Sequence, residues 1–403
     1  MRILFLTDNF PPEVNAPANR TYEHCKEWVK EGVQVTVITC VPNFPKGKVY
    51  KGYRNKIYQK EEIDGIVVIR VWSYITANEG FFKRILDYIS YAFMAFWAGL
   101  FVKTDLILAT SPQFFTAVSG ALLAFFKRKK WIMEVRDLWP ESIIAVGAME
   151  RNLFIRFFEW LEKRLYLYSD HIVVVTDTFK QKIKERGVNP DKISVFKNGA
   201  NLAFYKPTKK PKYLVDKLGL NNKFVFAYIG THGMAHGLHF ILHAINKIKA
   251  SHPDYMFLFI GDGAEKNNLK GMAHELDLTN VIFLDSVSKE LIVEYLNLID
   301  VALVNLRKSD TFLTVIPSKI FEAAAMGKPI LLGLEGETKK IVEGYKAGLC
   351  FIPENESSFL CNLHRIGSEK DIYNDYKAGC FKLAADFDRS KIAAAMLERI
   401  KNL

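Results

Sequence analysis

The segment Pro317-Ser318-Lys319-Ile320-Phe321-Glu322-Ala323-Ala324-Ala325-Met326-Gly327-Lys328-Pro329 holds a helix start, a cation and a carboxylate within about two turns. Pro317 and Ser318 suit a helix N-terminus, and Gly327 followed by Pro329 ends it. Such a terminus presents unpaired N–H groups and the positive end of a dipole, which suits a phosphate. Lys319 would add a full charge there. Glu322, one turn further in, can accept from both hydroxyls of a vicinal diol such as a ribose. An ordinary capped helix with a solvated glutamate has the same pattern. Upstream, Gly230-Thr231-His232-Gly233-Met234-Ala235-His236-Gly237 places three glycines between a strand and a helix, where backbone can approach a pyrophosphate closely. His236 could bond a phosphate or a sugar hydroxyl. A plain chain reversal uses glycines in the same way, as does the turn Gly261-Asp262-Gly263.

Two segments in the first half could hold a polyhydroxylated ligand. Phe10-Pro11-Pro12-Glu13-Val14-Asn15-Ala16-Pro17-Ala18-Asn19-Arg20 joins the first strand to the first helix. Arg136-Asp137-Leu138-Trp139-Pro140-Glu141-Ser142 follows another apolar strand and carries a charged pair, an aromatic ring and a second carboxylate. Aromatic faces with carboxylates suit sugars, because C–H patches stack while hydroxyls need acceptors. A surface turn and a salt-bridged loop are the plain alternatives.

The elements that position these residues follow from periodicity. Arg2–Thr7, Val33–Thr39, Ile66–Val71, Asp105–Thr110, Trp131–Val135 and His171–Val175 are nearly continuous apolar runs, as in parallel strands buried on both faces. Helices intervene, among them Arg20–Glu31, which stops at Gly32. The proline- and lysine-rich stretch 204–212 reads as a linker. The pattern restarts with strands at Phe224–Ile229, Tyr255–Ile260, Val281–Leu284, Asp300–Val304 and Pro329–Gly333, and helices from near Gly237, Glu265, Glu290 and Ser318. Alternation of this kind predicts α/β, doubly wound parallel sheets. The expected division is a domain over 1–203, the linker, a second domain over 213–388 and a terminal helix over 389–403 that packs back towards the first. A chain of 403 residues exceeds the size at which one core stops growing, about 250–300 residues.

Composition narrows the partners. Lys and Arg outnumber Asp and Glu by 55 to 44, a net charge of +11, which favours nucleotide phosphates, anionic head groups or nucleic acid. No nucleic-acid-binding module is recognisable, so nucleic acid is not an expected partner. The five cysteines form no Cys-x-x-Cys pair and no His cluster has metal spacing, so neither a metal nor a cofactor is expected. Reduced thiols and a first apolar run too short for a signal peptide predict a cytoplasmic chain.

Taken in order, these segments resemble glycosyltransferase family 4 over essentially the whole chain. The resemblance includes Phe10–Glu13, the Val173–Thr176 strand, Lys197-Asn198-Gly199-Ala200-Asn201, Ile260–Gly263, Asn280–Leu284 and Glu322–Pro329. The phrase Glu134–Ser142, with Asn15–Arg20 and Pro317–Lys319, is similar to the branch typified by the bacterial transferase WbuB, associated with N-acetyl-L-fucosamine transfer in surface-polysaccharide assembly. The resemblance implies a GT-B fold, two Rossmann-like domains facing across a cleft, and a retaining enzyme. It implies a UDP-sugar donor held by Gly230, Thr231, Gly233, His236, Phe283, Leu284, Asp285, Ser286, Thr314, Ser318, Lys319 and Glu322. An acceptor would meet Asn15, Asn19, Arg20, Arg136, Asp137, Trp139 and Glu141, with Asp137, Lys319 and Glu322 carrying the catalysis. Four positions depart from the family. Thr314 stands where the first of two glutamates is usual, Thr231 and His236 where an Arg and a Lys are usual, and Arg136 where a His is usual. Lys319, Arg20 and the helix N-terminus are the available replacements for the lost cations.

Residues 85–102 are apolar but for Asp87 and are flanked by Lys83-Arg84 and Lys103. The uncharged part falls short of the roughly 20 residues that span a bilayer. It is either a helix buried on the sheet or an interfacial one. Ala124–Trp131 is an aromatic-basic run, and Phe154, Phe157, Phe158, Leu161 and Leu165 form a helical stripe near Arg151, Arg156, Lys163 and Arg164. A peripheral enzyme on the inner face of an anionic membrane, using a lipid-linked saccharide acceptor for O-antigen or capsule, fits these features. A UDP-sugar 2-epimerase, a soluble glycan synthase and a non-enzymatic nucleic-acid-binding protein are the rivals.

Overall fold

The computed structural model describes residues 1–44, 47–76, 81–111, 113–141 and 152–403, and of Phe81 and Phe82 the backbone. Ser142 and Arg151 lie outside the described residues. The chain divides into two compact units, Met1–Lys197 with Arg389–Leu403, and Asn198–Asp388.

The first unit is built on strands β1 (Arg2–Leu6), β2 (Gln34–Cys40), β3 (Tyr58–Ile63), β4 (Ile66–Val71), β5 (Leu106–Thr110), β6 (Lys130–Val135), β7 (His171–Val174) and β8 (Ile193–Val195). Their order across the sheet is β3-β4-β2-β1-β5-β6-β7-β8. All neighbours are parallel except the β3–β4 pair. Period-two alternation explains the continuous apolar runs. Ile3 and Phe5 enter one core with Trp28, while Leu4 and Leu6 enter the other with Tyr91. Two strands of this sheet escape the sequence reading: β3, whose polar YQKEEI lies at the sheet edge and is nowhere fully buried, and the three-residue β8 at the other edge.

Helix α1 (Ala16–Lys30) begins four residues earlier than the periodicity predicts, because the Asn15 side chain caps it, accepting from the Ala18 N–H at 2.8 Å. Behind it the C-terminal helix Arg389–Lys401 docks through the Trp28 indole, which donates to the Ala393 carbonyl at 2.8 Å, and through Arg389, which pairs with Glu23 at 2.5 Å. On the opposite face lie α2 (Phe81–Leu100), α3 (Phe114–Lys127) and α4 (Leu153–Tyr168).

The second unit carries β9 (Phe224–Ile229), β10 (Tyr255–Ile260), β11 (Val281–Leu284), β12 (Val301–Asn305), β13 (Ile330–Gly333) and β14 (Gly348–Cys350), in the order β11-β10-β9-β12-β13-β14, all parallel. In each sheet the strand order reverses beside the first strand of the unit, at β1/β5 and β9/β12. Ligands of open α/β sheets bind at the carboxyl edge of such a switch point. Residues 198–212, divided between the first domain and a linker in the sequence reading, belong to the second unit. Tyr205 enters its core, the Thr208 N–H bonds Asn297 at 2.7 Å, and Lys210 pairs with Asp300 at 2.6 Å.

Trp28 is fully buried, stacks on Phe5 with ring centroids 6.1 Å apart, and ties α1 to the terminal helix. Trp28→Ala is expected to cost about 3–5 kcal/mol, read as a lower urea midpoint, with faster amide exchange concentrated in residues 389–401.

Candidate functional site

In the second unit the Gly230–Gly237 turn leaves β9 at the switch point. Lys319 opens the helix Lys319–Ala325, and its ammonium lies 4.1 Å from the centre of the Tyr228 ring. A Cβ on Gly230 would stand 2.7 Å from that nitrogen, and Gly230 holds φ +146°, so a side chain there would displace the cation. The Tyr228 hydroxyl donates to the Thr231 carbonyl at 2.7 Å, fixing the turn to the same ring. The His236 and His232 rings lie 5.6 and 5.8 Å from Tyr228, and Phe283 lies 6.2 Å from His232. One cation, two imidazoles and a glycine-rich backbone are thus gathered at the carboxyl ends of β9 and β11.

Burial presses on all three titratable groups. It brings the Lys319 ammonium down to about 8, with the Glu322 carboxylate pulling back the other way. It takes both imidazoles down to about 4, helped at His232 by Lys266 and Lys319 and at His236 by Lys319. At neutral pH the histidines are therefore uncharged, and Lys319 carries the positive charge of the turn. Both ring nitrogens of buried His232 and Nδ1 of His236 lack partners among the described residues. Unpartnered buried donors and acceptors favour a polar ligand.

The helix N-terminus offers less than the sequence reading expected of it. The N–H groups of Ile320, Phe321 and Glu322 already bond Pro317 and Ser318 carbonyls at 3.2, 3.0 and 3.4 Å, and the Ser318 side chain makes no capping bond. A tight first turn has consumed those donors. Glu322 is half-buried one turn in, and Gly327 ends the helix at φ +61°. Thr314 sits in a short 3-10 turn, donating to Thr311 at 3.1 Å. Gly233 lies within the turn, half-buried, and Thr231 is exposed. Phe283 and Leu284 are half-buried on the edge strand, and Ser286 is exposed beyond it. The Asp285 carboxylate turns back to Lys266 at 2.5 Å. Lys266, buried and also bonded to the Gly261 and Leu284 carbonyls at 2.8 and 3.1 Å, was missed. A lysine three residues past Gly261-Asp262-Gly263 was its available signal. Tyr228 and His232 were missed too, since nothing in a strand-end tyrosine advertises a cation.

In the first unit the Asn15–Arg20 and Arg136–Glu141 segments meet, the Arg136 guanidinium donating to the Pro17 carbonyl at 3.4 Å. Burial lowers Arg136 to about 10, with Glu134 acting in the opposite sense. Asp137 is half-buried beside it. Packing engages five of the expected acceptor residues with neighbours inside the fold. Arg20 is 2% exposed and committed to Glu134 at 3.0 Å and to the Phe196 and Lys197 carbonyls, so it has no face left for a substrate. Trp139 is core, stacked on Phe114 with centroids 4.8 Å apart and edge-on to Phe158 at 4.8 Å, and presents no sugar platform. Glu141 is paired with Lys182 at 2.5 Å and Arg186 at 2.9 Å. Asn15 is a helix cap bonded to Asn9 at 2.5 Å. Asn19 donates to the Val14 carbonyl at 3.3 Å. Two carboxyls at this edge went unread. Asp8 is raised by burial, and Glu13, 2% exposed, is raised by burial to about 7 although it accepts from the Asn43 and Phe44 N–H groups at 2.7 and 2.8 Å. No cluster of three or more His, Cys, Asp or Glu side chains is gathered for a metal among the described residues.

The outer face of α2–α4 settles how its helices divide. On α2 the inward residues are Tyr91 and the small Ala92, Ala95 and Gly99, while Leu86, Ile89, Phe93 and Trp97 face outward. One side of this segment is thus buried on the sheet, as the first of the two readings has it, and the other is exposed. On α4, Phe158 and Leu165 point into the core, whereas Phe154, Phe157 and Trp160 are exposed, so the predicted stripe is split. No helix among the described residues is long and apolar enough to cross a membrane.

Comparison with known proteins defines the class. Residues 18–204 match the family described as Glycosyltransferase Family 4, and residues 212–378 match Glycosyl transferases group 1. Carrying both domains in that order, the chain is a glycosyltransferase of the GT-B fold. Among its relatives is a chain of Escherichia coli K12 named as the colanic acid biosynthesis glycosyl transferase WcaI, 24% identical over 377 residues, covering 91% of this chain and 92% of that one. Another, named for teichuronic acid biosynthesis as TuaH of Bacillus subtilis, is 24% identical over 217 residues, 53% of each chain. HepE of Anabaena, solved with UDP and glucose, aligns over 100% of both chains at a TM-score of 0.73 and 16% identity. Sucrose-phosphate synthase of Thermosynechococcus elongatus aligns over 100% of this chain and 98% of its own at a TM-score of 0.78 and 14% identity.

Glu13 supplies a pH test. Its raised native pKa means that the folded state holds the proton more tightly than the unfolded chain. Stability from this group is present below about 4.5 and is lost as pH rises to about 7. In Glu13→Gln the amide oxygen still accepts from Asn43 and Phe44. Urea melts at pH 5 and pH 8 are expected to show the variant gaining on wild type by on the order of 3 kcal/mol across that interval.

Proposed function

We propose that this glycosyltransferase moves a sugar from a UDP-sugar to a saccharide carried on a lipid diphosphate, with retention of configuration, in bacterial polysaccharide biosynthesis. The observation that carries the reading is the Lys319 ammonium held over Tyr228 against the Gly230 backbone. A diphosphate placed on this turn would meet a cation, and its departure as a leaving group needs that charge more in the transition state than in the ground state. Glu322, one turn away, is the acceptor for ribose hydroxyls, and backbone around Phe283–Ser286 suits the uracil. The UDP found in HepE and the polysaccharide pathways for which WcaI and TuaH are named support the donor class and the setting.

Retention without an evident enzymatic nucleophile fits attack from the leaving-group face, with a diphosphate oxygen taking the acceptor proton. Asp137 would orient the acceptor hydroxyl or support the developing oxocarbenium charge, with Arg136 beside it. The exposed aromatic face of α2–α4 would rest on the membrane that holds the lipid-linked acceptor. Of the donor sugars, N-acetyl-L-fucosamine is the one suggested by the WbuB-like segments.

The deciding experiment incubates the protein with a panel of UDP-sugars, with and without lipid-linked saccharide, and identifies products by mass spectrometry. A glycosylated lipid is expected from one donor. An epimerised UDP-sugar formed without acceptor would establish the 2-epimerase instead, and transfer to a soluble sugar would remove the lipid. Lys319→Ala is expected to raise the donor KM by roughly ten- to a hundredfold, the cost of a charge-assisted bond. Wild-type donor affinity should fall as pH climbs past about 8, where Lys319 loses its proton, and the variant should show no such slope. Unchanged turnover in Asp137→Asn would sink that residue's assignment.

A further inference from the structure

At the opposite edge of the first sheet from the candidate site, α3 and α4 end beside the start of β6. A cavity of about 640 Å³ opens between them. Its walls are the exposed rings of Phe125, Phe126 and Tyr168 and the cations Arg128, Lys129 and Lys130. Helix carboxyl ends attract cations in their own right, and Lys127 does just that, donating to the Leu100 carbonyl at the end of α2 at 2.8 Å. Arg128 and Lys129 do not. Both are exposed, and neither side chain makes an ion pair or a hydrogen bond among the described residues, although Asp170 lines the same cavity. The Asp170 carboxylate instead accepts the Trp131 backbone N–H at 2.8 Å. Lys130 donates to the Leu403 carbonyl. The cations are crowded, since Lys129 adds to burial in depressing Lys127. The indole N–H of Trp131, 1% exposed and part of the same wall, has no acceptor among the described residues.

The cavity is joined to the aromatic face by an unbroken run of ring contacts. Phe125 meets Phe126 at 5.4 Å, Phe126 meets Phe96 at 5.7 Å, Phe96 meets Trp97 at 5.7 Å and Trp97 meets Phe93 at 6.2 Å. A soluble helix ordinarily buries its large apolar residues and exposes its small ones. Here α2 buries Ala92, Ala95 and Gly99 and exposes Phe93 and Trp97, which asks for an apolar phase outside. Unpaired cations at the margin of such a face have the charge complementary to phosphodiesters.

We propose that this cavity binds the phosphate head group of an anionic membrane lipid, with Arg128 and Lys129 as the phosphate ligands and Phe125 and Phe126 in the acyl region. The proposal rests on the reading that the chain works at a membrane. It is tested by sedimenting the full-length protein with vesicles of phosphatidylcholine alone and of one part phosphatidylglycerol to two parts phosphatidylcholine. Wild type should prefer the anionic vesicles. Arg128→Gln with Lys129→Gln should weaken that binding roughly twentyfold and leave binding to neutral vesicles unchanged. Lys206→Gln with Lys209→Gln, the same loss of charge at exposed positions of the second unit, should bind as wild type. Equal weakening in both double variants would reduce the effect to net charge and overturn the proposal. Full anionic binding by the Arg128/Lys129 variant would overturn it while leaving membrane association intact. Absence of wild-type binding to either vesicle would remove the membrane reading itself. Calorimetric titration with inorganic phosphate completes the set: binding that depends on Arg128 and Lys129, without vesicle binding, would replace the lipid with a soluble anion.

Discussion

Parallel strands impose the constraint on which this molecule depends. A parallel pair cannot be closed by a hairpin, so each connection must return along a face of the sheet. Both faces are then covered, the strands become continuously apolar, and the loops leaving the carboxyl edge are released from any duty in pairing. Chemistry collects there because polar side chains have nowhere else near the strands to go. In each unit the strand order reverses beside the first strand, leaving a gap between diverging helices at β1/β5 and β9/β12. The Gly230–Gly237 turn and the Phe10–Asn15 loop occupy those two places.

Within the second unit, charge is rationed by burial. A relative that carries an Arg and a Lys on the glycine turn would have two permanent cations there. This chain has Thr231 and a His236 held uncharged by burial. Lys319 reaches the turn from the start of the helix Lys319–Ala325, distant in the chain, and Tyr228 gives it a π face that holds an ammonium without neutralising it. Lys266 resembles a second phosphate ligand by position but is bound to Asp285 and two carbonyls, so it secures the Gly261 turn to the edge strand.

The first unit shows the same economy with the opposite outcome. Arg20 and one oxygen of Glu134 pair inside the fold, and burying such a pair is eased by the remaining guanidinium N–H groups reaching carbonyls. Asn15, Arg20, Trp139 and Glu141 are thus each held by neighbours in the fold, and Arg136 and Asp137 lie half-buried at the same edge. The outer face of α2–α4 follows another rule, with small residues inside so that α2 and α3 approach closely and large rings outside. A Cβ on Gly99 would stand 2.6 Å from Leu123.

Much of the fold was legible in the sequence, because its signals are local. Uninterrupted apolar runs, glycine stops and their alternation located the long strands of both sheets. The polar edge strand Tyr58–Ile63 and the three-residue strands Ile193–Val195 and Gly348–Cys350 were not legible, since edge pairing asks little of composition and three residues carry no period. Glu322, Lys319 and the glycine turn could be found as motifs because backbone geometry restricts which residues serve there. Whether Arg20, Trp139 or Glu141 faces a ligand or a neighbour depends on what lies opposite in space, and Glu134, Phe158 and Arg186 are 114, 19 and 45 residues away along the chain. The sequence alone determined the class of fold and the turns able to approach a phosphate. Only the tertiary structure decided which charges remain unspent, because pairing energy depends on separation in space and on solvent, and neither is written in residue order.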